Sequence, residues 1–128
     1  MAANVYQPGV CNIGPAEIRR RRLSGWIGAA IAVVFLALGF GLGWPAPWRL
    51  LVAVPVGLAA SGFLQAAFRF CAGFGVRGLF NFGDLGAEEQ VHEGEYRRKD
   101  QRKALQIMGL SLLIAIVVAA GALLIPLP

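Results

Sequence analysis

Three long stretches of the chain carry no charged side chain and consist mostly of apolar residues. They cover residues 23–44, 50–68 and 104–125. About 20 consecutive apolar residues suffice for a helix to cross the hydrocarbon core of a bilayer, and a helix that is apolar on all sides needs lipid or a large protein core around it. A chain of 128 residues cannot bury three such helices. The pattern therefore predicts an all-α integral membrane protein with three transmembrane helices, of which the first two form a hairpin over 23–68.

The polar residues fall into an N-terminal segment, 1–22, and a long loop, 69–103, which precedes the third helix and a short tail over 104–128. Residues 68–86 mix phenylalanine and glycine with two arginines. This composition is typical of a segment that lies in the membrane interface with its apolar side towards lipid. The glycines predict a bent or partly looped segment, because glycine weakens a regular helix.

Residues 84–103 carry a different pattern, which predicts a solvated amphipathic helix. Asp84 is a suitable N-cap. Acidic residues come early and basic residues late, as the helix dipole prefers, and Glu93 and Arg97 have the favourable i,i+4 spacing. We interpret this helix as a surface element that brings positive charge to the base of the third span. A docking surface for a cytoplasmic partner is the alternative.

The distribution of charge predicts the orientation of the helices. Hydrophobic residues make up 57% of the chain and charged residues 15%, against about 45–50% and about 25% in soluble proteins. Of the 12 lysines and arginines, only Arg49 lies between the first and second spans. Positive residues stay cytoplasmic, so we expect the N-terminus and the long loop inside and the C-terminus outside. The side chains expected near lipid headgroups are Arg19, Arg20, Arg21, Arg22, Arg97, Arg98, Lys99, Arg102 and Lys103.

Two other interpretations of the basic cluster at 19–22 are disfavoured by its surroundings. A basic cluster before an apolar run is typical of a cleaved signal peptide, but this run is longer than the usual 7–15 residues or so. Pro45 and Pro47 also crowd the only candidate cleavage site. A nucleic-acid interface would need interleaved aromatic residues and a folded reader domain, so we predict no nucleic-acid partner.

Small residues at four-residue spacing predict how the helices pack. Lipid provides no hydrophobic drive for helix association, so close contact depends on small side chains. We expect a three-helix bundle, which could dimerise through the ridge of Gly39 and Gly43. The complete rows are Gly25, Ala29, Gly39 and Gly43 in the first span, Ala53, Gly57 and Ser61 in the second, and Ser111, Ala115 and Ala119 in the third.

The candidate chemistry is confined to the two cysteines, Cys11 and Cys71. Both fall on the predicted cytoplasmic side, where stable disulfides are rare. Arg69 and the arginines at 19–22 would favour a thiolate at Cys71, which would make it a reactive thiol. The alternative is that Cys71 is a small apolar residue at a helix end.

Other cofactor chemistry is not predicted. The spacing of Cys11, Cys71 and His92 matches no metal site. Gly73 and Gly75 belong to a G-x-G-x-x-G spacing, but a dinucleotide site needs a strand before it and a βαβ unit around it. The three spans contain no ionisable side chain, which disfavours a proton or ion path.

Several short motifs together resemble a family of short bacterial inner-membrane proteins of unknown function. They are Asn12-Ile13-Gly14, Glu17-Ile18-Arg19, a glycine-bearing helix, a Pro/Trp turn, and Gly62-Phe63 and Phe70-Cys71 around the end of a second helix. The resemblance covers residues 10–83. The family pattern ends in Cys-Pro, whereas Ala72 stands in the place of the proline here, and the charged helix and third span are additional.

The resemblance implies a helix hairpin that dimerises. The same hairpin occurs fused behind rhodanese domains, so the resemblance also implies a cytoplasmic cysteine of relevance to sulfur chemistry. Carried over by position, it touches Asn12, Gly14 and Cys71.

We therefore expect a non-enzymatic scaffold or accessory subunit in the bacterial inner membrane. Its partners would be the lipid bilayer and either further copies of itself or other membrane subunits. The alternative is a thiol or sulfur relay at the cytoplasmic face that uses Cys71, with or without Cys11.

Overall fold

The computed structural model describes residues 6–125. Helices dominate, and a single two-stranded antiparallel sheet accompanies them in this part of the chain. Leu79 pairs with Gln90 and Phe80 with Glu89. The elements in chain order are α1 (Pro15–Gly41), α2 (Ala46–Arg49), a 3₁₀ turn (Leu50–Val52), α3 (Ala53–Phe68), α4 (Ala72–Arg77), β1 (Leu79–Phe80), β2 (Glu89–Gln90) and α5 (Gly94–Leu124).

The prediction of three membrane-length apolar helices is confirmed. The spans are α1, the continuous segment Ala46–Phe68, and α5. Their large apolar side chains point outwards: Trp26 is 63% exposed, Val33 67% and Leu112 62%. Their buried positions are mostly glycine, alanine and serine. Soluble proteins bury large apolar residues, so this reversed distribution indicates that lipid surrounds the helices.

α3 packs against both α1 and α5. Glycine is required at the crossing of α1 and α3. A Cβ atom on Gly62 would lie 2.5 Å from the backbone nitrogen of Gly25, and one on Gly28 would lie 2.6 Å from that of Ala59. On the other side of α3, a Cβ atom on Gly57 would meet Ala115 at 3.7 Å. Close backbone approach through small residues therefore holds the spans together.

The first helix begins earlier than the apolar pattern predicts. α1 starts at Pro15, so the four arginines at 19–22 are helical and do not belong to a separate N-terminal segment. Proline is favoured in the first turn because its missing N–H is not needed there. Glu17 adds a negative charge near the positive end of the helix dipole.

The prediction of a separate charged helix over 84–103 is wrong. Asp84 lies in a turn, and α5 begins at Gly94 and continues unbroken into the third span. The reason is strand pairing: β2 uses the backbone of Glu89 and Gln90, and the N–H of Val91 donates to the carbonyl of Gly78 at 2.7 Å. These backbone groups are therefore not available for an earlier helix.

Part of the predicted interfacial segment is buried inside the protein. Phe70 is 0% exposed and Phe74 is 5% exposed, so neither ring faces lipid as the composition of 68–86 predicts. Phe70 packs with Ala72, Ala104 and Ile107 where α4 meets α5. Only the short helix α4 and strand β1 interrupt the irregular backbone between α3 and β2.

The two residues of the predicted dimer ridge do not form one helical face. Gly39 is buried against Trp44 of the same chain, and a Cβ atom there would lie 3.2 Å from that indole ring. Gly43 lies beyond the end of α1, with a φ of 68°. In contrast, Ser111, Ala115 and Ala119 are all buried on one face of α5.

Candidate functional site

The polar elements gather at one end of the three helices. We term residues 6–14 and 69–93, together with the first turns of α1 and α5, the polar cap. The N-terminal segment joins the loop through backbone hydrogen bonds. Asn12 donates its N–H to the carbonyl of Arg69 at 3.1 Å, and Gly14 donates to the carbonyl of Asn81 at 2.9 Å. Ile13 and Asn81 form a parallel bridge.

Asn12 connects Cys71, the N-cap of α4, to the N-terminal segment. Its side chain is 0% exposed. Its Oδ1 accepts the N–H of Cys71 at 2.7 Å, and its Nδ2 donates to the carbonyl of Cys71 at 3.2 Å. Because the amide serves both backbone groups, a side chain of another type could not replace it without loss.

Glu17 and Arg21 form a buried ion pair one helical turn apart. The Nη1 of Arg21 donates to Glu17 Oε1 at 2.7 Å, and Asn81 Nδ2 donates to the other carboxylate oxygen at 3.0 Å. The side chain of Glu17 is 1% exposed and that of Arg21 is 13% exposed. A buried carboxylate needs such partners because an unpaired charge in a dry environment is costly.

Arg21 also contacts the candidate thiol. Its Nη2 donates to the Sγ atom of Cys71 at 2.7 Å, and its guanidinium carbon lies 5.6 Å from the centre of the Phe74 ring. Cys71 is 5% exposed and is packed against Ile13 and Phe74. The sulfur therefore sits between an arginine and an apolar cluster.

The second cysteine has a different environment. Cys11 is 6% exposed, and its thiol donates weakly to the carbonyl of Ile13 at 3.6 Å. Burial raises the pKa of the Cys11 thiol, and this effect outweighs the opposing influence of Arg69. Both cysteines are free.

A second buried polar contact connects the N-terminal segment to α5. Asp100 is 0% exposed. It accepts the Tyr6 hydroxyl at 2.6 Å and the N–H of Gly9 at 2.8 Å. Burial raises the pKa of Tyr6 above its ordinary value, and the hydrogen bond to Asp100 raises it further. The ring of Tyr6 stacks on Phe80, with centroids 4.9 Å apart.

Gln65, a polar residue within the second span, connects α3 to the start of α4. It donates to Ser61 Oγ at 2.8 Å, and its Oε1 accepts the N–H of Ala72 at 2.9 Å. Ala72 is the first residue of α4, a position where proline is favourable. The alanine thus provides an N–H that the Cys-Pro pattern of the resemblance would lack.

The predicted headgroup residues divide between the surface and the interior of the cap. Arg21 is held inside it, as described, and Arg97 Nε donates to the carbonyl of Val91 at 2.6 Å. The ammonium of Lys103 lies 4.2 Å from the centre of the Phe68 ring. Despite that bond, Arg97 is exposed, and the other exposed members are Arg19, Arg20, Arg22, Arg98, Lys99 and Arg102.

Arg49 lies at the opposite end of the helices and is 5% exposed. Its Nη1 donates to the carbonyls of Ala122 and Ile125, each at 2.6 Å. Its guanidinium carbon lies 5.0 Å from the centre of the Phe40 ring. Arg49 therefore caps the last turn of α5, where free carbonyls and the negative end of the helix dipole favour a cation.

Residues 6–125 contain no group of three His, Cys, Asp or Glu side chains that could hold a metal ion. His92 is exposed. The glycines of the G-x-G-x-x-G spacing belong to α4 and its C-cap, and the preceding element α3 is a helix.

The chain matches no protein-family model, and it shows no significant similarity to a curated protein or to a solved structure. The resemblance to the hairpin family stays a prediction. The site must therefore be interpreted from its own geometry.

Sequence reasoning missed three residues that hold the cap together: Glu17, Asn81 and Asp100. Glu17 and Arg21 have the i,i+4 spacing of a helical ion pair, which would have indicated their contact had the helix been started at Pro15. The contacts of Asn81 with Glu17 and of Asp100 with Tyr6 have no such local signal, because these partners lie 64 and 94 residues away.

Proposed function

We propose that the protein is a non-enzymatic membrane scaffold or accessory subunit. The observation that carries this proposal is the arrangement of the apolar surface. α1 and α5 use small residues to pack within the chain and direct large apolar side chains outwards. Such faces can accept lipid or the helices of further subunits.

The polar cap supports the same proposal. Asn12, Glu17, Asn81 and Asp100 are buried, and each has a hydrogen-bond partner within the chain. A network whose members satisfy one another rigidifies the structure. The cap would then be a preformed surface for docking.

Cross-linking in lipid nanodiscs tests the proposal. A cysteine would be introduced at Leu112, which is 62% exposed on α5, in a chain whose native cysteines are replaced by alanine. The matched control is a cysteine at Ala115, which is 4% exposed on the same helix. We expect disulfide-linked or partner-linked species from the first variant only. A monomer that cross-links to nothing and co-purifies with nothing would contradict the proposal.

We further propose that the cap lies in the cytoplasm and the Arg49 end lies outside, in a bacterial inner membrane. Eleven of the 12 lysines and arginines belong to the cap end, and the positive-inside rule favours this orientation. Reporters fused after residue 128 would distinguish the two orientations. Activity of a cytosolic reporter at that position would overturn the proposed one.

The contact between Arg21 and Cys71 favours a second candidate function, a thiol relay at the cap. A guanidinium donor beside a sulfur is typical of cysteines that act as nucleophiles. The rate at which Cys71 reacts with a small aromatic disulfide tests this function. Arg21→Gln slows the reaction if Arg21 activates the sulfur, and it speeds the reaction if Arg21 only covers it.

A further inference from the structure

A groove of about 560 Å³ lies between the start of α1 and the end of α3. Arg19, Arg22 and Arg69 line it together with apolar residues, which are Pro15, Ile18, Ala66 and Ala67. We term it the arginine groove. Three guanidinium groups from two helices thus border one apolar floor.

The positive charge of the arginine groove is uncompensated within the described chain. Arg19, Arg22 and Arg69 form no salt bridge with residues 6–125, whereas the neighbouring Arg21 is paired with Glu17. All three side chains are exposed. An anion that entered the groove would therefore meet three cationic donors.

Arg69 has a backbone conformation that is unusual for a residue with a side chain. Arg69 is the C-cap of α3 and has a φ of 54°, in the left-handed region that favours glycine. It is the only non-glycine residue with positive φ in the described part of the chain. An arginine at a position better suited to glycine is consistent with a use for its side chain.

The groove also lies where the first apolar run begins and the second one ends. Arg22 directly precedes the first apolar run at Leu23, and Arg69 directly follows the second at Phe68. Basic pockets between transmembrane helices bind anionic lipid headgroups. We propose that the arginine groove binds the headgroup of an anionic phospholipid, with an acyl chain along the apolar floor. Its three positive charges favour a headgroup with two phosphates over one with a single phosphate.

Native mass spectrometry of the full chain tests this proposal. The chain would be released from nanodiscs that contain diphosphatidylglycerol, phosphatidylglycerol or phosphatidylcholine, and retained lipid would be counted. We expect one tightly retained lipid per chain, in decreasing amount along that series. Equal retention of the zwitterionic lipid would overturn the proposal.

Charge-matched variants locate the bound lipid. The triple variant Arg19→Gln, Arg22→Gln, Arg69→Gln should bind diphosphatidylglycerol on the order of 100-fold more weakly, because each cation contributes roughly a fivefold factor. The control Arg20→Gln, Arg98→Gln, Arg102→Gln removes the same charge from exposed positions outside the groove. We expect the control to bind within a few-fold of the unmodified chain. Equal loss in both variants would show diffuse surface attraction and overturn the site.

Two further measurements separate the remaining outcomes. Inorganic phosphate should not displace the lipid, and displacement at millimolar concentration would assign the groove to a soluble anion instead. If the triple variant fails to fold, Arg22→Gln alone should weaken binding about fivefold, and no change would overturn the proposal. This inference does not depend on the scaffold proposal, because a strictly monomeric chain could still retain the lipid.

Discussion

Replacement of Asn12 by alanine should expose Cys71 to reagents without unfolding the transmembrane helices. The carbonyl of Cys71 keeps a second partner, the N–H of Gly75 at 2.9 Å. The N–H of Cys71 has Asn12 Oδ1 at 2.7 Å as its partner in the cap and would become an unpaired buried donor. Such a donor costs about 1–3 kcal/mol, and the cavity left by the buried amide adds to this cost.

We therefore expect local opening of the cap to become about 2–3 kcal/mol easier. Since 1.36 kcal/mol corresponds to a tenfold change, alkylation of Cys71 by a maleimide should become about 30- to 150-fold faster. The measurement uses intact mass in a Cys11→Ala background, so that Cys71 is the only thiol.

Gln7→Ala is the matched control, because it removes an amide side chain from an exposed position of the same segment. Its rate should stay within about twofold of the background, as is usual for surface substitutions. Helical circular dichroism should be unchanged in both variants. If Asn12→Ala reacts no faster than Gln7→Ala, Asn12 does not hold the cap closed.

Three further predictions concern pH, the far end of the helices and helix packing. Folding raises the pKa of Cys11 and of Tyr6. The stability that these two groups contribute is therefore complete below their ordinary pKa values and is lost as pH rises above about 9. The thermal midpoint should fall in that range, and a Cys11→Ala, Tyr6→Phe variant should show a weaker dependence of the midpoint on pH. Arg49→Gln should lower the free energy of unfolding by about 1–3 kcal/mol, because the buried carbonyl of Ala122 and the partly buried one of Ile125 lose their donor. Arg49→Lys should lower it less if the positive charge stabilises the end of α5, and equal losses would contradict that role of the charge. Gly62→Ala should lower the free energy of unfolding by about 1–3 kcal/mol, because its Cβ atom would overlap the backbone of α1. Gly57→Ala should be nearly neutral, because its Cβ atom would lie 3.7 Å from that of Ala115. Similar effects of the two substitutions in thermal or denaturant unfolding would argue against tight packing of α1 on α3.

The transmembrane part of the fold could be predicted because its signal is local. Each span is an uninterrupted apolar run, and an apolar run needs no distant partner to become a helix in lipid. The rows of small residues in α3 and α5 are also local, and the structure brings Gly57 and Ala115 into contact. The apolar run alone puts the start of α1 too late, because the helix begins at Pro15, ahead of the charged residues.

The polar cap could not be predicted because its contacts join distant parts of the chain. Asn12 and Cys71 are 59 residues apart, and no periodicity connects them. The local pattern of acidic and basic residues over 84–103 predicts a charged helix, but that pattern does not decide the structure. Pairing of β1 with β2 satisfies the backbone of Glu89 and Gln90, and this tertiary contact outweighs the local preference.

The hydrogen bond between Tyr6 and Asp100 has a consequence for biosynthesis. The two residues are 94 positions apart, so Tyr6 is synthesised well before the partner of its hydroxyl group. The backbone bonds of Asn12 and Gly14 to Arg69 and Asn81 need only the loop, whereas the bond of Tyr6 also needs α5. A nascent chain arrested before Asp100 would therefore leave the Tyr6 hydroxyl and the N–H of Gly9 without their shared partner.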